Sequence, residues 1–517
     1  MSSHTSTLTV ADLARLRTQA KELLRAAQAS SLEARERFHT HHPQFRNSPN
    51  RIPKLTDAQL VLAREHGFPS WPRLVVALQS AQMDLGAKAD AFVEAAIAGK
   101  LAKARALLDD TPELAKFSIY SAAAYGDADA LRGFLAREGG LANAAGGPRQ
   151  RLPLLYAVFS RFFQDAERRP HLLASVKLLI DAGADPNASY REAPFEDFPL
   201  SALYGAAGVL HDAELAEMLL DAGANPNDNE SLYHSVEQAA NECTALLLRR
   251  GADPNATNAL AHQLDYEDSE GLRLFLSHGA DPNRSSPTGG NSLHWAILRR
   301  RGPDCIGLLV EYGADMEARS AEGWTPFRQA ALTGQTEIAA LLESRGANSA
   351  LTEEDRIIAA LALGDLSVLS ALRQTDPDQA AKVLQQSPAL LAESAEHGRI
   401  EAVRALLDLG VSPDSRGANH ATALHWACWR AHADVVRLLT ARGAALESVG
   451  ADFGTTPMQW AIHGANNNQE RPWEAFEDTL RAMLDAGAAW DPAWLEDAGE
   501  KLRAFFIPFS SSPVIIS

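Results

Sequence analysis

Two tryptophan-arginine pairs carry the clearest chemical signal in this chain. Trp295 is followed four residues later by Arg299, and Trp426 by Arg430. On a helix that spacing puts both side chains on one face, so each guanidinium can lie over the preceding indole. Aromatic and arginine anchors of this kind dominate protein interfaces. Trp460 stands in a third copy of the same local phrase, with His463 and Trp473 close behind it. Signals for catalysis are missing: the sequence holds no glycine-rich phosphate loop, nucleophile elbow, paired-cysteine motif or His-Glu-x-x-His helix. His39, His41 and His42 have no nearby Cys, Asp or Glu to complete a shell of about four ligands, so they read as a solvated polar loop. No metal, no cofactor and no catalytic residue is expected.

The tryptophans belong to short helical openings: 291–296 reads NSLHWA, 422–427 TALHWA and 456–461 TPMQWA. The cleanest related unit begins at Gly323. There Thr325 can cap a helix, Pro326 fits the first helical position, and Gly334 supplies the left-handed turn that ends it. Phe327, Ala330, Ala331 and Gly334 then face the stack, with Gln329 and Thr333 opposite. A second helix starts near Thr336, buries Ile338, Leu341 and Leu342, and stops at Gly346. Its close, two leucines and then Gly-Ala with Asp-Pro-Asn or a variant, returns at Gly183, Gly223, Gly251, Gly279, Gly313, Gly410, Gly443 and Gly487. Asp and Asn there are expected to bond their own turn. A period near ~33 residues marks stacked repeats and not one globular core.

In its Thr-Pro opening and its Leu-Leu to Gly-Ala close, the unit resembles the ankyrin repeat. The resemblance implies an all-α solenoid of about twelve stacked helix-turn-helix repeats over residues 88–490, decayed at 88–150 and 349–397, with small helical caps at both ends. It makes His294 and His425 structural, bonded to the capping residues Asn291 and Thr422. It also assigns the positions equivalent to Gln329 to a concave groove, among them Tyr156, His234, His262, Trp295, Trp426 and Trp460. The tryptophans either form a binding strip or pack on one another and stiffen the groove. The residues expected to meet a partner are Trp295, Arg299, Trp426, Arg430, Trp460, Trp473, His234, His262 and Tyr156. The family mostly recognises proteins, so a non-enzymatic scaffold for a protein or peptide is the first reading. The second is an enzyme or small-ligand site at 426–473, where Trp426, Arg430, Trp460, His463 and Trp473 could converge.

Charge divides the chain. The total is −18, while residues 1–80 carry +5 and leave −23 for the rest. An acidic array does not suit nucleic acid, which needs positive surface. Three scattered cysteines and no membrane-length apolar run lead to the expectation of a cytoplasmic monomer. The basic head reads as four helices, with capping boxes at Ser30/Glu33 and Thr56/Gln59 and starts near Val10 and Trp71. It is similar to a region that precedes ankyrin arrays in bacterial proteins and is expected to cap the stack. Interruptions at 188–200, with Tyr190, Phe195 and Phe198, and at 464–474 should emerge as loops. A last helix from Pro492 to about Phe506 is expected to close the array before a frayed tail from Pro508.

Overall fold

The computed structural model describes residues 12–47, 51–80, 83–192, 198–238, 240–286, 289–386, 389–417, 420–450, 454–467, 471–495, 498–506 and 509. Val10, Phe195, Asn468 of the second interruption and nearly all of the tail from Pro508 lie outside the described residues. The fold is an all-α solenoid in two compact units, Met1–Asp281 and Pro282–Ser517.

Each unit holds six pairs of antiparallel helices among its described residues. In the first unit the leading helices are Leu85–Ile97, Ile119–Tyr125, Pro153–Val158, Ala202–Tyr204, Ser231–His234 and Ala259–Gln263. In the second they are Ser292–Leu298, Pro326–Leu332, Glu353–Ala362, Leu390–Glu396, Ala423–Trp429 and Pro457–Asn467. Within a unit, leading helices pack on leading helices and trailing helices on trailing ones, giving two layers. The local chemistry explains the shape of each pair. The Thr325 hydroxyl accepts from the Arg328 N–H at 3.3 Å, Pro326 occupies the first turn, and Gly334 takes φ +70°. A Cβ at Gly334 would also lie 3.0 Å from the Ala362 carbonyl, so close packing of the next repeat forbids one.

The repeated Gly-Ala-Asp-Pro-Asn phrase is a stitch between neighbours. Asn227 donates to the Gly251 carbonyl at 3.1 Å while its side-chain oxygen accepts from the Asp253 N–H at 2.7 Å. Asn143, Asn187 and Asn255 repeat this in the first unit, and Asn283 does the same to Gly313 and Asp315 in the second. The turn Asp does bond locally, as Asp253 does to Asn255 N–H at 2.8 Å. The Asn does not stay within its own turn as expected, because its amide offers a donor and an acceptor at the distance of the next hairpin. Glu317, Asp414 and Glu447 hold the same place with carboxylates and accept from the next hairpin's N–H.

The decayed segment keeps its helices but not its hairpin. Glu353–Ala362 is capped reciprocally by Thr352 and Asp355, and Arg328 grips Asp355 at 2.8 Å. Leu366–Thr375 then leads into an extra helix, Pro377–Gln386, where other repeats place the Gly-Ala turn. The first interruption forms a two-stranded hairpin, Ser189–Tyr190 against Leu200–Ser201, and Arg151 lies 3.2 Å from the Tyr190 ring centre.

In the head, Asp12–Gln28 buries Leu13, Leu16, Ala20 and Leu23. The polar-loop expectation for the histidines is corrected: His39 and His41 end the Leu32–His41 helix, and His42 is buried against Asp57 at 3.0 Å. Burial holds the His42 ring below its ordinary pKa despite that carboxylate. The caps also shift. Ser31 caps the second helix, and Asp57 takes the Lys54 N–H at the start of Leu55–Glu65. Trp71–Ser80 packs on Leu101–Asp110, with Arg73 paired to Asp109. At the other end the expected single helix is two pieces, Pro492–Leu495 and Glu500–Phe506.

Candidate binding surface

The leading helices are short, and most of their residues are needed for packing. The Gln329 register shows this. Gln329 is 9% exposed and donates to the His294 carbonyl of the preceding repeat at 3.2 Å. At Tyr156, Trp295, Gln329 and Trp460 the expectation of an open groove is corrected, because these positions are buried in the packing. Tyr156 is fully buried, its hydroxyl donating to the Gly146 carbonyl at 2.9 Å. Trp295 and Trp460 are each 8% exposed. A large side chain at this position is gripped by the adjacent leading helix.

His294 and His425 behave as the resemblance implies. His425 meets the Thr422 hydroxyl at 2.8 Å and the Thr455 carbonyl at 3.1 Å, and His294 meets Asn291 at 2.9 Å and the Trp324 carbonyl at 2.9 Å. Burial pushes both rings below the ordinary histidine pKa.

Part of the aromatic surface remains open. Trp426 is half-buried and meets Trp460 edge-on at 5.2 Å. Trp460 also contacts the His425 ring at 5.2 Å and donates its indole N–H to Thr455 at 2.9 Å. One turn after Trp426, half-buried Trp429 stacks on exposed His463 at 5.4 Å and 21°. The compact site expected at 426–473 forms only in part. Trp426, Trp429, Trp460 and His463 gather, whereas Trp473 opens the helix Trp473–Asp485 and meets Phe505 at 6.4 Å. Sequence reasoning missed Trp429, although its spacing of three from Trp426 places it on the same helical side. The Arg299 guanidinium does sit over Trp295, 4.5 Å from the ring centre. Arg430 reaches Glu396 at 3.1 Å.

Arg430 belongs to a basin of about 270 Å³ lined also by Glu396, His397, His432 and Arg471. Arg300 approaches Glu396 at 3.8 Å from a leading helix three repeats earlier. Its backbone adopts φ +57°, and Ala431 beside Arg430 adopts +55°, at turns where other repeats use Gly126, Gly334 or Gly398. Burial raises Glu393 to about 7, and burial with Arg300 nearby lowers His397 to about 4. The one sequence trace of the basin is the non-glycine residue at these left-handed turns.

His234 and His262 line a different strip, in the first unit. His234 lies between Glu237 at 2.6 Å and Glu230 at 3.3 Å, and His262 between Asp265 at 3.0 Å and Glu237 at 3.4 Å. Tyr233 stacks on His262 at 4.1 Å. Burial opposes charge on His234, but the two glutamates outweigh it and raise its pKa.

Stacked helix pairs joined by stitched hairpins, with aromatic and charged side chains at the ends of the leading helices, define a helical-repeat solenoid of the interaction type. The profile of ankyrin repeats matches three times, over residues 260–352, 357–449 and 391–470. Over these residues the chain carries ankyrin repeats, and the second match runs through the decayed segment. Protein phosphatase 1 regulatory subunit 27 of Homo sapiens is 42% identical over 69 residues, 13% of this chain and 44% of its own length. Ankyrin repeat and SOCS box protein 16 of Mus musculus is 29% identical over 242 residues, 44% of this chain and 52% of its own length. Putative palmitoyltransferase ZDHHC13 of Danio rerio is 29% identical over 72 residues, 14% of this chain and 11% of its own. This chain thus spans about half or less of each relative. Ankyrin repeats generally mediate protein-protein interaction. Among the described residues, no helix is long and apolar enough to cross a membrane.

Proposed function

We propose that the chain is a non-enzymatic scaffold that binds a partner protein or peptide at the ends of its leading helices and hairpin tips, as a monomer in the bacterial cytoplasm. The observation that carries this reading is the ring cluster of Trp426, Trp429 and His463, partly open in a unit whose leading helices bury Trp295, Phe327 and Trp460. A rigid aromatic with one free face gives contact area at little entropic cost. The relative named as a phosphatase regulatory subunit fits a binding role. The cytoplasmic setting is supported by three buried cysteines outside any disulfide, Cys243, Cys305 and Cys428, and the bacterial one by the head's resemblance. The test is capture of partners by the full chain from native cytosol, with Trp429→Ala and His463→Ala in parallel. A stoichiometric protein that weakens roughly tenfold in both variants supports the scaffold. A co-purified small metabolite with no protein would overturn it in favour of the ligand site at 426–473.

A further inference from the structure

We propose that the basin lined by Arg430 and Arg471, with Arg300 and Arg399 behind it, receives a carboxylate from an acidic segment of the partner. This rests on the scaffold reading and gives the partner a chemistry.

Arg430 and Arg471 line the hollow with Glu396, Arg300 stands 3.8 Å from that carboxylate, and Arg399 is within electrostatic reach of Arg300 and Glu393, in a protein whose total charge is −18. A chain so acidic has no general reason to gather arginines in one hollow. Helix ends attract cations to their carbonyls, which accounts for Arg471 but not for Arg300 or Arg430. The His397 ring meets the Glu393 carbonyl at 2.6 Å, the His432 ring meets the Glu396 carbonyl at 2.9 Å, and Arg471 Nε donates to the Arg430 carbonyl at 3.1 Å.

The carboxylates do not balance the arginines either. Glu396 accepts from Arg430 at 3.1 Å and stands 3.8 Å from Arg300, beyond hydrogen-bond length. Burial raises the Glu393 pKa, which weakens it as a counter-charge. Among the described residues Arg399 makes no side-chain hydrogen bond or salt bridge, and burial and Arg300 both act against its charge. The histidines report the same field: Arg300 helps to depress His397, and Arg471, whose Nη2 lies 2.9 Å from His432 Nδ1, helps to depress His432. Arg300 is held at a left-handed turn that glycine would fill without strain, and from there its guanidinium comes within 3.8 Å of Glu396 at a backbone cost.

The hollow is open and fits one oxyanion with its stem. Forked guanidinium groups bind carboxylate in bidentate fashion, and their gain is largest where water is partly excluded. Trp429 and Arg430 close the same helix, so the ring cluster and the basin lie at one end of it. An acidic side chain next to an apolar or aromatic one is the partner feature this surface fits.

The probe is fluorescein-labelled hexaglutamate, with hexaglutamine and hexalysine as controls, titrated by anisotropy against the full chain at about 150 mM salt, where long-range repulsion is screened. Hexaglutamate alone should bind. Arg399→Gln with Arg471→Gln should weaken it about tenfold or more, Arg399→Lys with Arg471→Lys should retain most of it, and exposed Arg273→Gln should leave it unchanged. Equal melting temperatures show that the Gln variants are folded; should they not be, the Lys variants and charge-dependent competition by free glutamate carry the test. Absence of hexaglutamate binding, or binding indifferent to the basin variants, overturns the proposal. So does full displacement by millimolar inorganic phosphate that also stabilises the protein, which would assign the basin to a free small anion. A captured partner that depends on Trp429 but not on these arginines would leave the scaffold reading standing and remove the basin's role.

Discussion

At the scale of single residues, burial separates tryptophans that look alike in sequence. Trp460 is gripped by His425, Trp426 and Trp429, so Trp460→Ala should cost ~3–5 kcal/mol. Trp429→Ala should cost clearly less, because half-buried Trp429 leaves part of its face in solvent. Denaturant unfolding of the two variants compares them, and equal losses would contradict the assignment of Trp429 to the surface. His425 gives a pH prediction. Its folded pKa lies below its unfolded value of about 6.5, so the unfolded chain binds the proton first as pH falls. The stability it contributes is present above ~6.5 and is lost as pH falls through the folded value. The advantage of the native protein over His425→Gln should therefore shrink from pH 7.5 to 5 in thermal melts. Sequence spacing placed the Arg299 guanidinium over Trp295 correctly. It put Tyr156, Trp295 and Trp460 on an open face because a helical wheel shows which sides differ, not how closely the next helix approaches.

At the scale of elements, the hairpin stitch explains why Asn ends the repeated phrase. An Asn makes two bonds to the next hairpin; Asp or Glu in that place makes the acceptor bond with Ala445 or Asn348. Each hydrogen bond contributes ~0.5–1.5 kcal/mol net. Asp414→Asn should thus stabilise the second unit by roughly 0.5–1 kcal/mol through a new bond to the Gly443 carbonyl, and Asn255→Ala should destabilise the first by about 1–2 kcal/mol. Urea titration reads both, and no gain from Asp414→Asn would show that the missing donor costs nothing. The caps of the repeats, the glycines and the helix pairs were legible because each depends on local chemistry, whereas the head's caps were misplaced. The stitch was not, since the same Asn can bond its own turn, and only the neighbour's position decides. The basin was hidden for a related reason: Arg300 and Glu396 are far apart in sequence and approach only in the folded stack.

At the scale of the molecule, a solenoid's stability is a sum over neighbours, and it is lowest where a neighbour term is missing. Residues 363–386 lack the Gly-Ala hairpin, and Leu363 is 50% exposed. Hydrogen exchange should open this segment before the repeats at 292–344 and 423–449, and uniform protection would show that the extra helix Pro377–Gln386 restores the lost contacts.

The stitch holds even where the hairpin is longest. Asn187 still reaches Gly223 and Asn225 although the two-stranded insertion lies between its turn and the next helix. The spacing of the stack is therefore written at the base of each hairpin and is indifferent to what is built beyond it. That makes the Tyr190–Leu200 hairpin a port: a foreign loop grafted past this pair can change what the protein recognises without resetting the register of the repeats on either side.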